Sequence, residues 1–178
     1  MSKTAFVIID VQVAMFSYVG TYPYHGDQVL QNIKLLLEKA RATGTPVIYI
    51  QHNSDDEFKK GTPTWNICPE IQPIQGEFIV EKTKCDAFYK TKFQEVLQQL
   101  VITNLIITGM QTEFCLDTTC RRAFSMGYES ILVQDAHTTF DSEVLSAEQI
   151  VQHHNNVLGN SFVQLKTTEE MLKSDFKI

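Results

Sequence analysis

The sequence predicts an α/β fold in which a six-stranded, mainly parallel sheet lies between two layers of helices, forming a three-layer α/β/α sandwich. Two observations support this fold class. Short apolar runs rich in β-branched residues alternate along the chain with segments of helical period. The strand runs are almost continuously apolar, which is typical of parallel strands that are buried on both faces.

The first half of the chain supplies three strands and one long helix. The runs "AFVIID" (5–10) and "PVIYIQ" (46–51) indicate buried strands, and "EFIVE" (77–81) indicates a shorter one. Residues 29–44 place apolar side chains on one helical stripe and end in a glycine that suits a helix C-terminus. Residues 52–76 form a long polar segment rich in turn residues, and a loop of this length is more often functional than idle.

The second half continues the alternation and ends in a capped helix. Thr167 stands three residues before Glu170, which is the spacing of a capping box. No internal repeat, low-complexity tract or linker interrupts the pattern, so one domain over residues 1–178 is the simplest organisation. The predicted elements are a helix over 92–100, a strand over 105–109, a helix over 114–126, a strand over 130–135, a helix over 146–158, a strand over 161–165 and a helix over 167–173.

Composition excludes several classes of function. The 178 residues carry a formal net charge of −6 and show no basic stripe, so we expect no nucleic-acid partner and favour a small-molecule ligand. No apolar run is long enough to span a membrane and the N-terminus lacks signal-peptide features, so we expect a cytoplasmic protein without membrane contact. The cysteines form no CxxC pair and are expected to be free thiols. They are Cys68, Cys85, Cys115 and Cys120.

Three reactive side chains follow strands and should meet at one edge of the sheet, because ligands of an open parallel sheet bind beyond the carboxyl ends of its strands. Asp10 ends the first strand, Lys82 follows "EFIVE", and Cys115 follows the turn after "LIITG". A carboxylate is costly to bury unless it is paired, and one beside a lysine suits a group that moves protons. Lys84 lies two residues from Lys82, and the pattern alone does not exclude it.

Cys115 is placed where a thiol becomes reactive. At a helix N-terminus it would meet unpaired backbone N–H groups and the positive end of the helix dipole, so we expect a lowered thiol pKa and a nucleophilic thiolate. The N–H groups of the turn could receive the oxyanion that its attack creates. The ordinary alternative is a small buried hydrophobe. Cys120 lies about 140° further around the helix and is expected in the core.

Taken together, the segments resemble the isochorismatase-like cysteine hydrolase family over nearly the whole chain, in the family's order and spacing. The resemblance implies a Rossmann-like, isochorismatase-like sandwich, an Asp–Lys–Cys triad, no cofactor, and a homo-oligomer of two or more copies. The matching stretches are "FVIIDVQ", "GTPTWNICPEIQP", "VEKTKCDAF", "IITGMQTEFCLDTTCRRAFSMGY" and "ILVQDAHTTFD".

The resemblance also assigns the catalytic residues. The Asp of "IIDVQ" is Asp10, and the nucleophile is Cys115. The family's Lys stands four residues before the middle of a small-residue–Ala–Phe signature, here "DAF" (86–88), which selects Lys82 over Lys84.

A cis peptide within the turn before the Cys is a further property that the resemblance implies. By position it is Met110–Gln111, and it would turn the Gln111 N–H toward the Cys115 N–H to form an oxyanion hole.

Two departures from relatives narrow the expected reaction. The true isochorismatases, which cleave a vinyl ether, lack the Cys, so its presence favours acyl chemistry on a C–N bond. The nicotinamidase branch holds a metal with an Asp and several His residues after the second strand, where this chain has only His52, so we predict no metal. His137 is expected to order the edge loop, and whether either histidine contributes to the site stays open.

We therefore predict a hydrolase that cleaves a C–N bond of a small amide, carbamoyl or ureido compound through a Cys115 thioester. Phe16, Trp65 and Phe88 lie on segments that reach the same edge and are the candidates for substrate binding, with ordinary packing as the alternative for each. A competing interpretation is a redox-sensing or small-molecule-binding module that uses Cys115 as a reactive thiol. Dinucleotide binding is disfavoured because no Gly-rich loop follows a strand.

Overall fold

Six strands form one sheet in the computed structural model, which describes residues 3–17 and 21–176. The strand order is β3-β2-β1-β4-β5-β6, and each pairing is parallel. This confirms the predicted α/β fold class. The strands are β1 (Thr4–Ile9), β2 (Val47–His52), β3 (Phe78–Lys82), β4 (Asn104–Met110), β5 (Glu129–Thr138) and β6 (Gln164–Lys166).

Helices cover both faces of this sheet. Within the described ranges, no helix is long and apolar enough to cross a membrane. The α-helices are α1 (Gly26–Thr43), α2 (Phe93–Gln99), α3 (Asp117–Ser125), α4 (Ala147–Ser161) and α5 (Thr168–Lys173), with a π-helix over Thr112–Leu116 and 3-10 turns over Val13–Phe16, Pro63–Trp65 and Pro69–Ile71.

Strand β1 shows why its sequence is apolar at every position. Val7 and Ile9 point into the core formed with α2, α3 and α4. Phe6 and Ile8 point into the opposite core, formed with α1 and α5. Because successive side chains of a strand face opposite sides, a strand between two helical layers needs apolar residues at both parities.

The structure moves several predicted boundaries. The helix predicted from residue 114 begins at Thr112 as a wide π-helical turn and continues as α3. Helix α4 runs three residues beyond its predicted end, because Phe162 and Val163 still donate backbone hydrogen bonds to the Leu158 carbonyl. Strand β6 is therefore shorter and later than predicted, over 164–166. The capping box of α5 forms as predicted.

Gly109 explains why the apolar run of β4 stops at a glycine. Its φ is +122°, and a Cβ at this position would lie 2.1 Å from the Ile9 carbonyl oxygen. The pairing of β4 with β5 also shifts register between Ile107 and Gly109. The backbones of β1 and β4 therefore lie unusually close together at Ile9 and Gly109, near the carboxyl ends of both strands.

Replacing Gly109 by alanine is expected to lower the free energy of unfolding by at least about 3 kcal/mol, the upper end for an overpacked core, because the clash is with backbone that cannot rotate away. Urea unfolding measures this loss. Gly44, at the C-terminus of α1, is the matched control: its φ is +68°, but a Cβ added there would meet nothing within 4 Å. Gly44→Ala should cost only about 1–2 kcal/mol. Equal losses in the two variants would contradict the close-approach explanation.

Candidate active site

Asp10 is the first residue beyond β1 and is completely buried. Its backbone φ is +51°, a left-handed conformation that turns the chain away from the sheet. Its N–H donates to the Ile50 carbonyl at 2.9 Å, and its own carbonyl accepts from the Gln12 N–H at 3.0 Å. Among the described residues, its carboxylate Oδ1 is buried without a hydrogen-bond partner. One oxygen of this carboxylate is therefore free to accept a proton.

Lys82 is the last residue of β3, and its ammonium lies at the centre of the site. Its Nζ is 2.6 Å from Asp10 Oδ2, 3.1 Å from Cys115 Sγ and 3.1 Å from His52 Nδ1. The Lys82 and Asp10 side chains are 0% and 1% exposed, so their ion pair is fully desolvated. Lys84 is exposed on the surface. The geometry thus brings Lys82, and not Lys84, into contact with the predicted carboxylate and thiol.

Cys115 lies in the π-helical turn and is 8% exposed. The sequence pattern predicts a lowered thiol pKa, and the structure contradicts this: burial and the negative charge of Asp10 raise the pKa of Cys115, and the attraction of Lys82 only partly offsets them. The resting sulfur therefore carries a proton. Burial alone would lower the pKa of Lys82, but Asp10 and Cys115 raise it overall, so Lys82 stays an ammonium.

The backbone between β4 and the π-helix has the predicted form. The Met110–Gln111 peptide is cis. The Gln111 carbonyl accepts hydrogen bonds from the N–H groups of Phe114 and Leu116, both at 3.2 Å. These bonds start the π-helical turn that carries Cys115. Cys120 is completely buried in the core on the α3 side, as predicted.

Comparison of the sequence and the fold with known proteins identifies the family of this chain. The family model of the isochorismatase domain matches residues 4–170. This chain belongs to the isochorismatase family. Relatives and structural neighbours carry the same family name, which confirms the predicted resemblance to the isochorismatase-like family.

Three members of known name or structure are similar to this isochorismatase-family chain. It is 32% identical to streptothricin hydrolase from Streptomyces noursei over 139 residues, which cover 77% of this chain and 55% of that protein. It is 28% identical to the ureidoacrylate amidohydrolase RutB from Agrobacterium fabrum, over 97% of this chain and 84% of that protein. An isochorismatase of known structure from Pseudomonas putida KT2440 is 32% identical, with a TM-score of 0.88 over 94% of this chain and 89% of that chain.

His52 joins the site, a contribution that the sequence pattern left open when it argued against His52 as a metal ligand. It ends β2, beside Lys82 in the β2–β3 register. Burial lowers the pKa of its imidazole, and the charge of Lys82 lowers it further. The feature of the sequence that points to His52 is its position at the end of β2, at the same edge of the sheet as Asp10 and Lys82.

Three side chains at the site could together bind a metal ion, but the Lys82 ammonium already forms hydrogen bonds with all of them. One ligand atom from each of Asp10, His52 and Cys115 lies within 4.8 Å of the others. Lys82 Nζ is hydrogen-bonded to all three residues. The residues present therefore fit a protonated lysine and not a resident metal ion, and the absence of a metal stays a prediction.

His137 is buried beneath the π-helix and connects three elements. Its Nδ1 is 2.9 Å from Thr112 Oγ1, and its Nε2 is 2.9 Å from Asn155 Oδ1. Asn155 donates its amide N–H to the Gln134 carbonyl, so its oxygen is the atom that faces His137 and accepts the Nε2 proton. Burial lowers the pKa of His137 to about 4. A neutral His137 thus anchors the start of the π-helix, in line with the ordering role expected for it.

Two of the three predicted substrate-binding aromatics lie together at this edge. Phe16 and Trp65 pack against a small apolar cluster that includes Phe58 and Met110. The side-chain amides of Gln12 and Gln51 donate hydrogen bonds to the Trp65 carbonyl at 2.7 and 2.9 Å, and these bonds hold the polar segment between β2 and β3 in place.

The third aromatic, Phe88, is not brought to this cluster. Its ring packs 4.6 Å from Phe93 and 5.8 Å from Tyr128, within the core on the α2 and α3 side of the sheet. This core also contains Cys115, and the role of Phe88 in substrate binding stays a prediction.

Proposed function

We propose that this protein is a cysteine amidohydrolase that cleaves a C–N bond of a small amide, carbamoyl or ureido compound through a thioester on Cys115. The observation that carries the proposal is the buried lysine that contacts both other members of a triad: Lys82 Nζ lies 2.6 Å from the Asp10 carboxylate and 3.1 Å from the Cys115 sulfur. A nucleophile, a base and a fixed positive charge are the parts that acyl transfer to sulfur requires.

The first step follows from the raised thiol pKa. Because Cys115 rests as a thiol, it needs a base, and Asp10 is proposed to be that base. One of its carboxylate oxygens lies within 4.8 Å of the Cys115 sulfur, and its Oδ1 has no hydrogen-bond partner among the described residues. As Asp10 takes the proton, the sulfur forms a bond to the carbonyl carbon of the substrate, and the carbonyl π electrons move to oxygen. The Lys82 ammonium stabilises the negative charge that develops on sulfur.

The backbone of the π-helical turn is proposed to stabilise the oxyanion. The N–H groups of Gln111 and Cys115 are the donors that the resemblance assigns. Removal of one such donor typically costs about 3 kcal/mol of transition-state stabilisation.

The remaining steps return every group to its starting state. The tetrahedral intermediate collapses, the C–N bond breaks, and the departing nitrogen takes the proton from Asp10. A water molecule then gives a proton to Asp10 and attacks the thioester carbon. The C–S bond breaks, the acid product leaves, and Cys115 recovers its proton from Asp10.

The relatives support this substrate class. One is named for hydrolysis of streptothricin and another for the amidohydrolysis of ureidoacrylate. Phe16 and Trp65 are proposed as apolar walls for such a small substrate, since both pack against the cluster of Phe58 and Met110, and the Phe58 ring contacts His52.

The redox-sensor alternative is not favoured. Sensor cysteines have a low pKa and are accessible to solvent. Cys115 has a raised pKa and is 8% exposed, and Cys120, the nearest cysteine in sequence, is completely buried.

A screen for ammonia release from a panel of small amides, carbamoyl amino acids and ureides tests the proposed function. We expect at least one ureido or amide compound to release ammonia, and mass spectrometry of the quenched reaction to find the acyl group on the peptide that contains Cys115. No ammonia release across the panel, together with oxidation of Cys115 by peroxide, would contradict the proposed function and favour the redox alternative.

A further inference from the structure

We propose that His52 is a positioning residue for Lys82: its neutral imidazole accepts the third N–H of the ammonium through Nδ1, and protonation of the ring removes this acceptor and disables the site. The inference rests on the proposed function in that Lys82 serves the chemistry of Cys115. It adds a fourth residue to the triad and gives the site a defined response to acid.

Among the described residues, His52 supplies the third hydrogen-bond acceptor of the Lys82 ammonium. An ammonium has three N–H donors. Lys82 is 2% exposed, and its three acceptors are Asp10, Cys115 and His52, at 2.6, 3.1 and 3.1 Å. If His52 is removed, one donor of a buried cation is left without a partner, and the ammonium can turn away from the sulfur to find another.

His52 is itself held rigidly. Gln12 is completely buried and bonds to the His52 backbone twice: its Oε1 accepts from the His52 N–H at 2.8 Å, and its Nε2 donates to the His52 carbonyl at 3.1 Å. The ring packs edge-on against Phe58, with centroids 5.5 Å apart. The imidazole is therefore a fixed reference point for the lysine head group.

The protonation state follows from this contact. Because the ammonium can only donate, Nδ1 must be unprotonated, and the ring proton lies on Nε2. The charged groups around the ring are Lys82 and Lys84, which lower its pKa, and Asp10 and Asp56, which raise it; together with burial they leave the pKa lowered.

Acid should therefore weaken the site in a defined way. As the pH falls through the lowered pKa of His52, the ring gains a proton at Nδ1. A donor and a positive charge then replace an acceptor next to the ammonium, so the contact that aligned Lys82 with Asp10 and Cys115 is lost.

The test uses two substitutions of His52 and needs no substrate. His52→Asn keeps an acceptor, since its Oδ1 can occupy the place of Nδ1, but it does not titrate. His52→Leu removes the acceptor. The measured quantity is the rate at which iodoacetamide alkylates Cys115, read from the mass of the Cys115 peptide. The control is His153→Asn on the exposed face of α4.

At neutral pH we expect His52→Asn to keep most of the wild-type rate and His52→Leu to be slower by about tenfold or more. The ratio of the wild-type rate to the His52→Asn rate cancels the titration of the thiol itself. It should be constant at neutral pH and fall in acid as wild-type His52 gains its proton, while His153→Asn behaves as the wild type.

A ratio that stays flat or rises in acid would overturn the inference, as would a His52→Leu variant that reacts as fast as the wild type. If the Leu variant does not fold, nuclear magnetic resonance of the wild-type imidazole decides, because a proton on Nδ1 at neutral pH contradicts the proposed contact. The ammonia screen is independent of these readouts. The expected alkylation pattern, found together with no ammonia release and with oxidation of Cys115 by peroxide, would therefore contradict the proposed function and leave the role of His52 standing.

Discussion

Cys115→Ala will abolish amide hydrolysis, and Cys115→Ser will leave only a small residual rate. Loss of the nucleophile of an acyl-transfer site costs roughly 10⁴-fold or more in turnover, because the remaining groups cannot form the covalent intermediate. The serine hydroxyl holds its proton more tightly than the thiol, so the same base removes it less readily. Ammonia release from the substrate that the screen identifies measures both variants.

Cys85→Ala is the matched control for this prediction. Cys85 is half-buried and packs at the margin of the core on the α3 side. Its replacement should leave turnover unchanged. Full activity in Cys115→Ala would exclude the thioester mechanism and, with it, the proposed function.

Lys82→Met should have the second largest effect, on both activity and stability. Methionine fills a similar volume but leaves the Asp10 carboxylate without its cation, in a site where both side chains are almost fully desolvated. Removal of one partner of a buried ion pair costs about 3–5 kcal/mol, since an uncompensated charge remains in the interior. Turnover should be lost at the same time. Urea unfolding gives the change in the free energy of unfolding.

Two further variants separate charge from packing. In the double variant Asp10→Asn with Lys82→Met no charged pair remains, so most of the lost stability should return while activity does not. Lys84→Met alters an exposed lysine two residues away and should change the free energy of unfolding by less than about 0.5 kcal/mol. If Lys82→Met and Lys84→Met are equally stable, the buried pair does not have the energetic role assigned to it.

The fold was predictable because its central strands β1 and β4 are buried and apolar at almost every position. The run over 5–10 needs apolar residues at both odd and even positions only if helices cover both faces of the sheet. Val7 and Phe6 do face opposite cores. The end of α4 was less predictable. Ser161 gives no helical signal of its own, and the helix continues because the Leu158 carbonyl still finds backbone donors.

The positions of the site residues were predictable from the sequence, but their protonation states were not. The positions of Asp10 and Lys82 follow from the strand ends and the family resemblance. The protonation of Cys115 does not, because burial and the distance to a carboxylate from another strand are tertiary properties. The contribution of His52 stayed open in the sequence, and only its distance to Lys82 shows that it makes a hydrogen bond there.

The π-helical turn before α3 carries Cys115, so the number of residues in this turn matters for where the thiol lies. A five-residue π-helix that includes Cys115 lies between the cis peptide and α3. Deletion of a single residue there would rotate the nucleophile by about 100° relative to the helix that follows. Efforts to change the substrate range of this enzyme should therefore keep the number of residues between 110 and 117 constant, and introduce insertions or deletions in the polar loop over 53–76 instead.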